Sequence, residues 1–205
     1  MNDASPIIRK GRKFDQVIEG AREVFMADGF ERASVDEIAR VAGVSKATLY
    51  AYVPDKRVLF MEVLRAECAR QTKHVVELID DAAPPRAVLG FAGRSFLRFL
   101  TSRLGQQIFR ICLTEAEHFP EIGRVFHESG PQVMRAEMAA YFAEAEARGE
   151  LQIDDYALAA DQFGEMCKAD IWLRCIFGVT EAPSEAEVDR VIDGAVDTFM
   201  ARYGT

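Results

Sequence analysis

Histidine and cysteine are scarce in this 205-residue chain, three and four residues respectively, and neither falls into a metal-binding pattern. The absence of His-x-x-x-His and of any Cys/His cluster argues against a structural or catalytic metal. Cys68, Cys112, Cys167 and Cys175 show no C-x-x-C spacing and sit in apolar helical contexts, so free buried thiols are expected. Nothing sets a Lys, Arg or His against one of them, as a reactive thiol sensor needs. There is no Gly-rich phosphate loop and no nucleophile–base set, so no cofactor is expected and an enzyme is not supported. No apolar run reaches transmembrane length and the N-terminus has no signal-peptide core, which predicts a cytoplasmic protein with no membrane partner. Internal repeats and low-complexity segments are also absent.

What is present is a 49% hydrophobic composition, enough to bury a good core in one domain or two small ones. The net charge of −8 is unevenly placed. Residues 1–56 hold nine Lys or Arg and nine Asp or Glu, so the acidic excess lies wholly in residues 57–205. That division marks the N-terminal part as the nucleic-acid end. Arg9, Lys10, Arg12 and Lys13 form a basic cluster there, suited either to phosphates and a minor groove or to a merely solvated tail.

The stretch Ser34–Lys56, SVDEIARVAGVSKATLYAYVPDK, organises the chain. Ser34 with Glu37 reads as a capping box opening a helix whose apolar positions are Val35, Ile38, Ala39 and Ala42. Gly43 marks an exit at positive φ, and Ser45 is placed to cap a second helix through Tyr50. The pattern is a helix-turn-helix. Leu49 and Ala47 are expected to face inward, leaving Ser45, Lys46, Thr48, Tyr50 and Tyr52 to reach phosphates and base edges. Lys56 begins the next helix, where its ammonium and free backbone N–H groups suit a phosphate. A capped helical hairpin with a solvated polar face is the plainer alternative.

These residues resemble the TetR family of bacterial transcriptional regulators. The resemblance covers about residues 9–65 and rests on a helix ending in Phe25 and Gly29-Phe30, then SVDEIARVAGVSKATLY, Tyr52 and Lys56. Val53, where many members carry Phe, and Ala51, where a larger residue is common, depart from the pattern. Candidate DNA contacts are Ser34, Val44, Ser45, Lys46, Thr48, Tyr50, Tyr52 and Lys56.

The remaining pattern is helical. A first helix from about Arg9 to Ala27 carries Phe14, Val17, Ile18, Ala21 and Phe25 at helical spacing, as a stripe packing on the helix-turn-helix. After Pro54-Asp55 a long helix carries Leu59, Phe60, Val63, Leu64, Val75, Leu78 and Ile79 to about Asp80, ~35 to 40 Å at 1.5 Å per residue. Ala82-Ala83-Pro84-Pro85 breaks the chain. Helices follow over about 85–101 and from Ser102, interrupted at His118-Phe119-Pro120, and Pro131 opens another that stops at Gly149. The last two run from Asp154 or Asp155 to about Phe177 and from Ser184 to about Tyr203. The fold class is therefore all-α, with a three-helix DNA-binding domain over 1–56 and a helical domain over 57–205.

The wide apolar stripes of the last two helices suit a two-fold four-helix bundle between protomers, or burial in the domain's own core. The interface set for the first is Phe163, Cys167, Ile171 and Arg174, with Val188, Val191, Ile192, Ala195 and Phe199. A homodimer also matches the palindromic operator expected of such a reader, with recognition helices ~34 Å apart.

Residues 110–121, with Arg110, Glu115, Phe119 and Pro120 at matching positions, and GEMCKADIWLR further on resemble the C-terminal domain of an AefR-like subgroup of the family. The resemblance implies a cavity where a small-molecule effector binds and lowers DNA affinity. Phe91, Phe99, Phe109, Phe119 and Trp172 are candidate apolar lining, with Arg94, Arg110, Glu115, His118 or Asp170 as orienting groups. The same residues also fit a filled core, with Arg110 paired to Glu115 or Glu117. The function expected is a transcriptional regulator acting as a repressor under ligand control; the alternative is a constitutive DNA-binding repressor with no ligand pocket.

Overall fold

The computed structural model describes residues 11–78 and 83–205, without the side chains of residues 74–78. Among these residues the chain is all-α: α1 (Arg12–Arg32), α2 (Val35–Val41), α3 (Lys46–Tyr52), α4 (Lys56–Leu78), α5 (Pro85–Thr101), α6 (Arg103–Ala116), α7 (Pro120–Ser129), α8 (Pro131–Ala147), α9 (Tyr156–Cys167), α10 (Ile171–Ile176) and α11 (Glu185–Tyr203). A single antiparallel bridge joins Leu151 to Gly204. Arg9, Lys10, Ile79, Asp80 and Ala82, and the side chains of Val75 and Leu78, lie outside the described residues.

The chain forms two compact units. One takes the chain through Cys68 and adds Arg110–Phe126; the other holds Ala69–Phe109 and His127–Thr205. The division expected after Lys56 falls twelve residues later, because α4 contributes Leu59, Phe60, Val63 and Leu64 to the buried residues of the first unit. Residues 110–126, assigned by sequence to the C-terminal domain, also belong to it.

In the first unit the predicted stripe Phe14, Val17, Ile18, Ala21 and Phe25 is buried. α1 continues beyond Ala27 and is broken at Gly29, whose φ of 78° favours glycine. That break turns Phe30 onto Phe25 and Phe60, with ring centroids 5.3 to 5.9 Å apart among the three. At Gly20 a Cβ would lie 2.7 Å from the Ala42 nitrogen and 2.8 Å from its Cα. Only a glycine lets α1 approach the end of α2 so closely.

In the second unit α8, α9, α10 and α11 pack with α5 around Phe199, whose ring lies 5.0 Å from Phe142 and 5.6 Å from Phe163. Along one edge Arg98 bonds Glu185, Arg94 bonds Asp189 (2.7 Å) and Asp193 (2.6 Å), and Arg86 bonds Asp197 (2.5 Å). Moving back along α5 from residue 98 to 94 to 86 matches moving forward along α11 from 185 to 189 to 197, which fixes the antiparallel register. Ser184 and Glu187 form a complete capping box at the start of α11, and Asp155 caps α9.

One helix assignment needs correction here. Residues 155–177 are not one helix, because Lys168–Asp170 separates α9 from α10 and Asp170 takes φ 63°, which neither Gly nor Pro signals in the sequence. The interruption expected at His118-Phe119-Pro120 separates α6 from α7, and residues 120–129, for which the sequence pattern named no helix, form α7 with Pro120 at its first position. The residues expected at a dimer interface lie largely within the protomer. Phe163, Cys167, Ile171, Val188, Val191, Ile192, Ala195 and Phe199 are buried in this unit's own core, and Arg174 donates to Glu187 at 2.7 Å. Covering α5 and α8 uses much of both stripes, while Leu158 on α9 and Leu173 and Phe177 on and after α10 stay exposed.

Candidate nucleic-acid interface

Two serines start the two helices of the motif. Ser34 Oγ accepts the Glu37 N–H at 3.1 Å, and Ser45 Oγ accepts the Thr48 N–H at 3.1 Å while lying 2.8 Å from the Thr48 hydroxyl. Between them Gly43 takes φ 64°, as its position predicts, and the Val44 N–H donates to the Ala39 carbonyl at 3.0 Å. The capping box expected at Ser34 is only half formed. The Glu37 carboxylate turns to the Arg40 guanidinium instead, at 2.6 and 2.9 Å, because a charged bidentate partner outcompetes one backbone amide. That bond holds the Glu37 carboxyl below its usual range.

α3 has one anchored face and one open face. Leu49 and the following Val53 are buried, and the Tyr52 ring meets Phe14 edge-on at 5.8 Å. Val53, at the position where many members carry Phe, is fully buried. Lys46, Ala47, Tyr50 and Ala51 are exposed, Tyr50 by 52%. Ala47 was expected inward. It stands two residues from Leu49, ~200° around the helix, and so points the opposite way.

The cations of the interface are engaged locally. Lys46 Nζ lies 2.6 Å from Asp36 Oδ1. Lys56 Nζ donates to the Glu31 carbonyl at 3.0 Å and stands 4.7 Å over the Phe30 ring. The amides expected to be free for a phosphate at the start of α4 are capped, since Asp55 Oδ1 accepts from Arg57 N–H (2.8 Å) and Val58 N–H (3.0 Å). Burial pushes the Asp55 carboxyl up, but these amides and the Arg57 guanidinium outweigh it and hold it below its usual value. Arg12 and Lys13 are exposed at the start of α1.

The candidate effector residues divide between the two units. Phe91, Arg94, Phe99, Phe109 and Trp172 belong to the second unit, and Arg110, Glu115, His118 and Phe119 to the first. Arg94 is committed to Asp189 and Asp193, Phe91 is exposed, and Phe109 meets Trp172 edge-on at 5.0 Å. Asp170, also offered as an orienting group, is exposed and lies 3.5 Å from the Arg174 guanidinium. In the first unit the Arg57 guanidinium stacks 4.7 Å over Phe119, and His118 is exposed. Glu115 is buried; desolvation, with Glu31 adding, raises its carboxyl against the pull of His118 and Lys56. A groove of about 470 Å³ in the second unit is lined by Leu158, Gln162, Met166, Phe199 and Tyr203 among others, and by none of the ten residues proposed from sequence for the ligand. All four cysteines are free and buried, and desolvation pushes the thiols of Cys68 to about 11 and of Cys112 and Cys167 to about 12. Among the described residues no helix is long and apolar enough to cross a membrane.

Two serine-capped helices around a positive-φ glycine, with a buried Leu49 behind an exposed polar face, define a helix-turn-helix DNA-binding protein. Residues 17–63 match the family described as bacterial regulatory proteins, tetR family, and residues 87–205 match the AefR-like transcriptional repressor C-terminal domain. The chain belongs to the TetR family of transcriptional regulators, which are not enzymes. A TetR-family regulator from Mesorhizobium loti shares its fold at a TM-score of 0.88, with 29% identity over 95% of this chain and 98% of that one. The flavonoid-responsive regulator FrrA aligns at a TM-score of 0.75 and 32% identity, over 95% and 98% of the two chains. Among curated relatives, the transcriptional repressor AcnR of Corynebacterium diphtheriae is 32% identical over 30% of this chain and 33% of its own. The transcriptional activator FasR of Mycolicibacterium smegmatis is 33% identical over 42% and 39%. The chain thus spans about a third of the length of the curated relatives it matches first.

Proposed function

We propose that the protein is a ligand-responsive repressor that binds a palindromic operator as a homodimer, with α3 of each protomer in the major groove. The observation that carries this reading is the open face of α3, held outward by Leu49 and by two serine caps. The dimer forms through apolar groups the protomer leaves uncovered, Leu158 on α9 and Leu173, Phe177 and Val179 on and after α10. A small aromatic effector is bound in the C-terminal helical domain. Its class is supported by the aromatic pair Phe109–Trp172 and by the printed name of the relative FrrA, a flavonoid-responsive regulator. A coupling of ~1 to 3 kcal/mol between effector and DNA suffices to switch occupancy.

The test is selection of binding sites from a randomised duplex pool, followed by light scattering of the complex with and without a flavonoid panel. Recovery of palindromes bound by two chains, released by one panel member, is the expected result. Palindromes bound equally under every addition favour the constitutive reading, which the commitment of Arg94 to Asp189 and Asp193 supports.

A further inference from the structure

The open face of α3 is short of groups that read base edges by hydrogen bonds. Arg, Lys, Asn, Gln, Asp and Glu make the principal side-chain contacts to guanine, adenine and cytosine in a major groove, and of these α3 contains only Lys46. Its one cation, Lys46, is bonded to Asp36 at 2.6 Å, and the Ser45 and Thr48 hydroxyls are bonded to each other at 2.8 Å. Apart from the Tyr50 hydroxyl, the rest of the face is apolar. Ala47 and Ala51 are both exposed, one helical turn apart, with the Tyr50 ring beside them. Their separation of ~6 Å along the helix matches about two base-pair steps of 3.4 Å. In the major groove the group that small apolar side chains can distinguish is the thymine C5-methyl.

We propose that each operator half-site is read chiefly through thymine methyl groups, contacted by Ala47 and Ala51 with Tyr50; this rests on the DNA-binding role of α3 given above. Lys46 is left for one guanine or phosphate contact once it leaves Asp36.

The experiment alters the DNA and leaves the protein intact. Duplexes recovered from the randomised pool are remade with deoxyuridine in place of each thymidine in turn, which removes the methyl and keeps base pairing and phosphates. At the contacted positions affinity falls about fourfold per methyl, the change that corresponds to ~0.8 kcal/mol for one buried carbon group. Substituting the symmetric pair in both half-sites costs about fifteenfold. Recovered duplexes whose affinity is unchanged by uracil at every thymine would overturn the methyl reading while leaving DNA binding by α3 in place. If the pool yields no bound duplex at all, the DNA-binding role itself fails, and this inference with it.

Discussion

Lys46 of α3 and Asp36 of α2 are joined by an ion pair of 2.6 Å, both side chains more than half exposed. The pair ties the reading helix to the one before it and places a negative charge beside the groups that meet DNA. Exposed pairs of this kind are worth only ~0.2 to 1 kcal/mol to the fold. Asp36→Asn therefore leaves stability nearly unchanged, frees the ammonium and removes a charge that repels phosphate. DNA affinity should rise about two- to fivefold in fluorescence anisotropy. A weaker complex would mean that Asp36 aims Lys46 rather than restraining it.

Gly20 sets the position of the turn before α3. Alanine in an ordinary helix interior gains ~1 kcal/mol over glycine, but here the new Cβ meets the Ala42 backbone at 2.7 and 2.8 Å. Backbone cannot yield as a flexible side chain does, and overpacking of this kind costs ~1 to 3 kcal/mol. Gly20→Ala should lower stability in a urea titration by about 1 kcal/mol net and weaken DNA binding, since Ala42 precedes Gly43. A stabilised variant would show that α1 and α2 are further apart.

The two kinds of apolar residue on the last helices respond differently to substitution. Leu158→Glu with Phe177→Glu should give a folded monomer by light scattering, since these side chains are 50% and 79% exposed. Phe199→Ala should instead cost ~3 to 5 kcal/mol of folding stability, because its ring fills the core. A dimer that survives the double substitution would place the interface elsewhere.

Glu187 gives a pH signature. The Arg174 guanidinium, aided by the Ser184 amide and hydroxyl, holds its carboxyl at about 2. A depressed carboxyl contributes stability that is complete above its unfolded value of ~4.3 and is lost as pH falls toward 2. The difference in melting temperature between the native chain and Glu187→Gln should be full at pH 7 and shrink steadily below pH 4. A difference constant from pH 7 to pH 2.5 would contradict the charged bond.

Local signals made the DNA-binding motif legible. Ser34, Gly43 and Ser45 specify caps and a turn through their own chemistry, and the structure keeps all three. Where the outcome depended on a competing partner the sequence misled, as when Glu37 chose Arg40 over the Ser34 amide. Ala47 was misjudged because a methyl on a seven-residue helix carries no polarity to mark its face. The stripe through Phe163 and Ile192 shows that a helix must be covered, but not by which neighbour, and α5 and α8 cover it within the protomer. The Pro120 that opens α7 was a usable sign, because a proline suits the first position of a helix. The break at Asp170 had none, since its positive φ is imposed on a residue that does not favour it.

The first measurement to make is the affinity of Tyr50→Ala for a duplex recovered by selection, with melting temperature and oligomeric state measured on the same preparation. Tyr50 lies outside the core, so fold and assembly should be unchanged, while removal of a base contact worth ~1 to 3 kcal/mol should weaken binding by about five- to 150-fold. Unchanged affinity in a folded variant would contradict α3 as the reading helix.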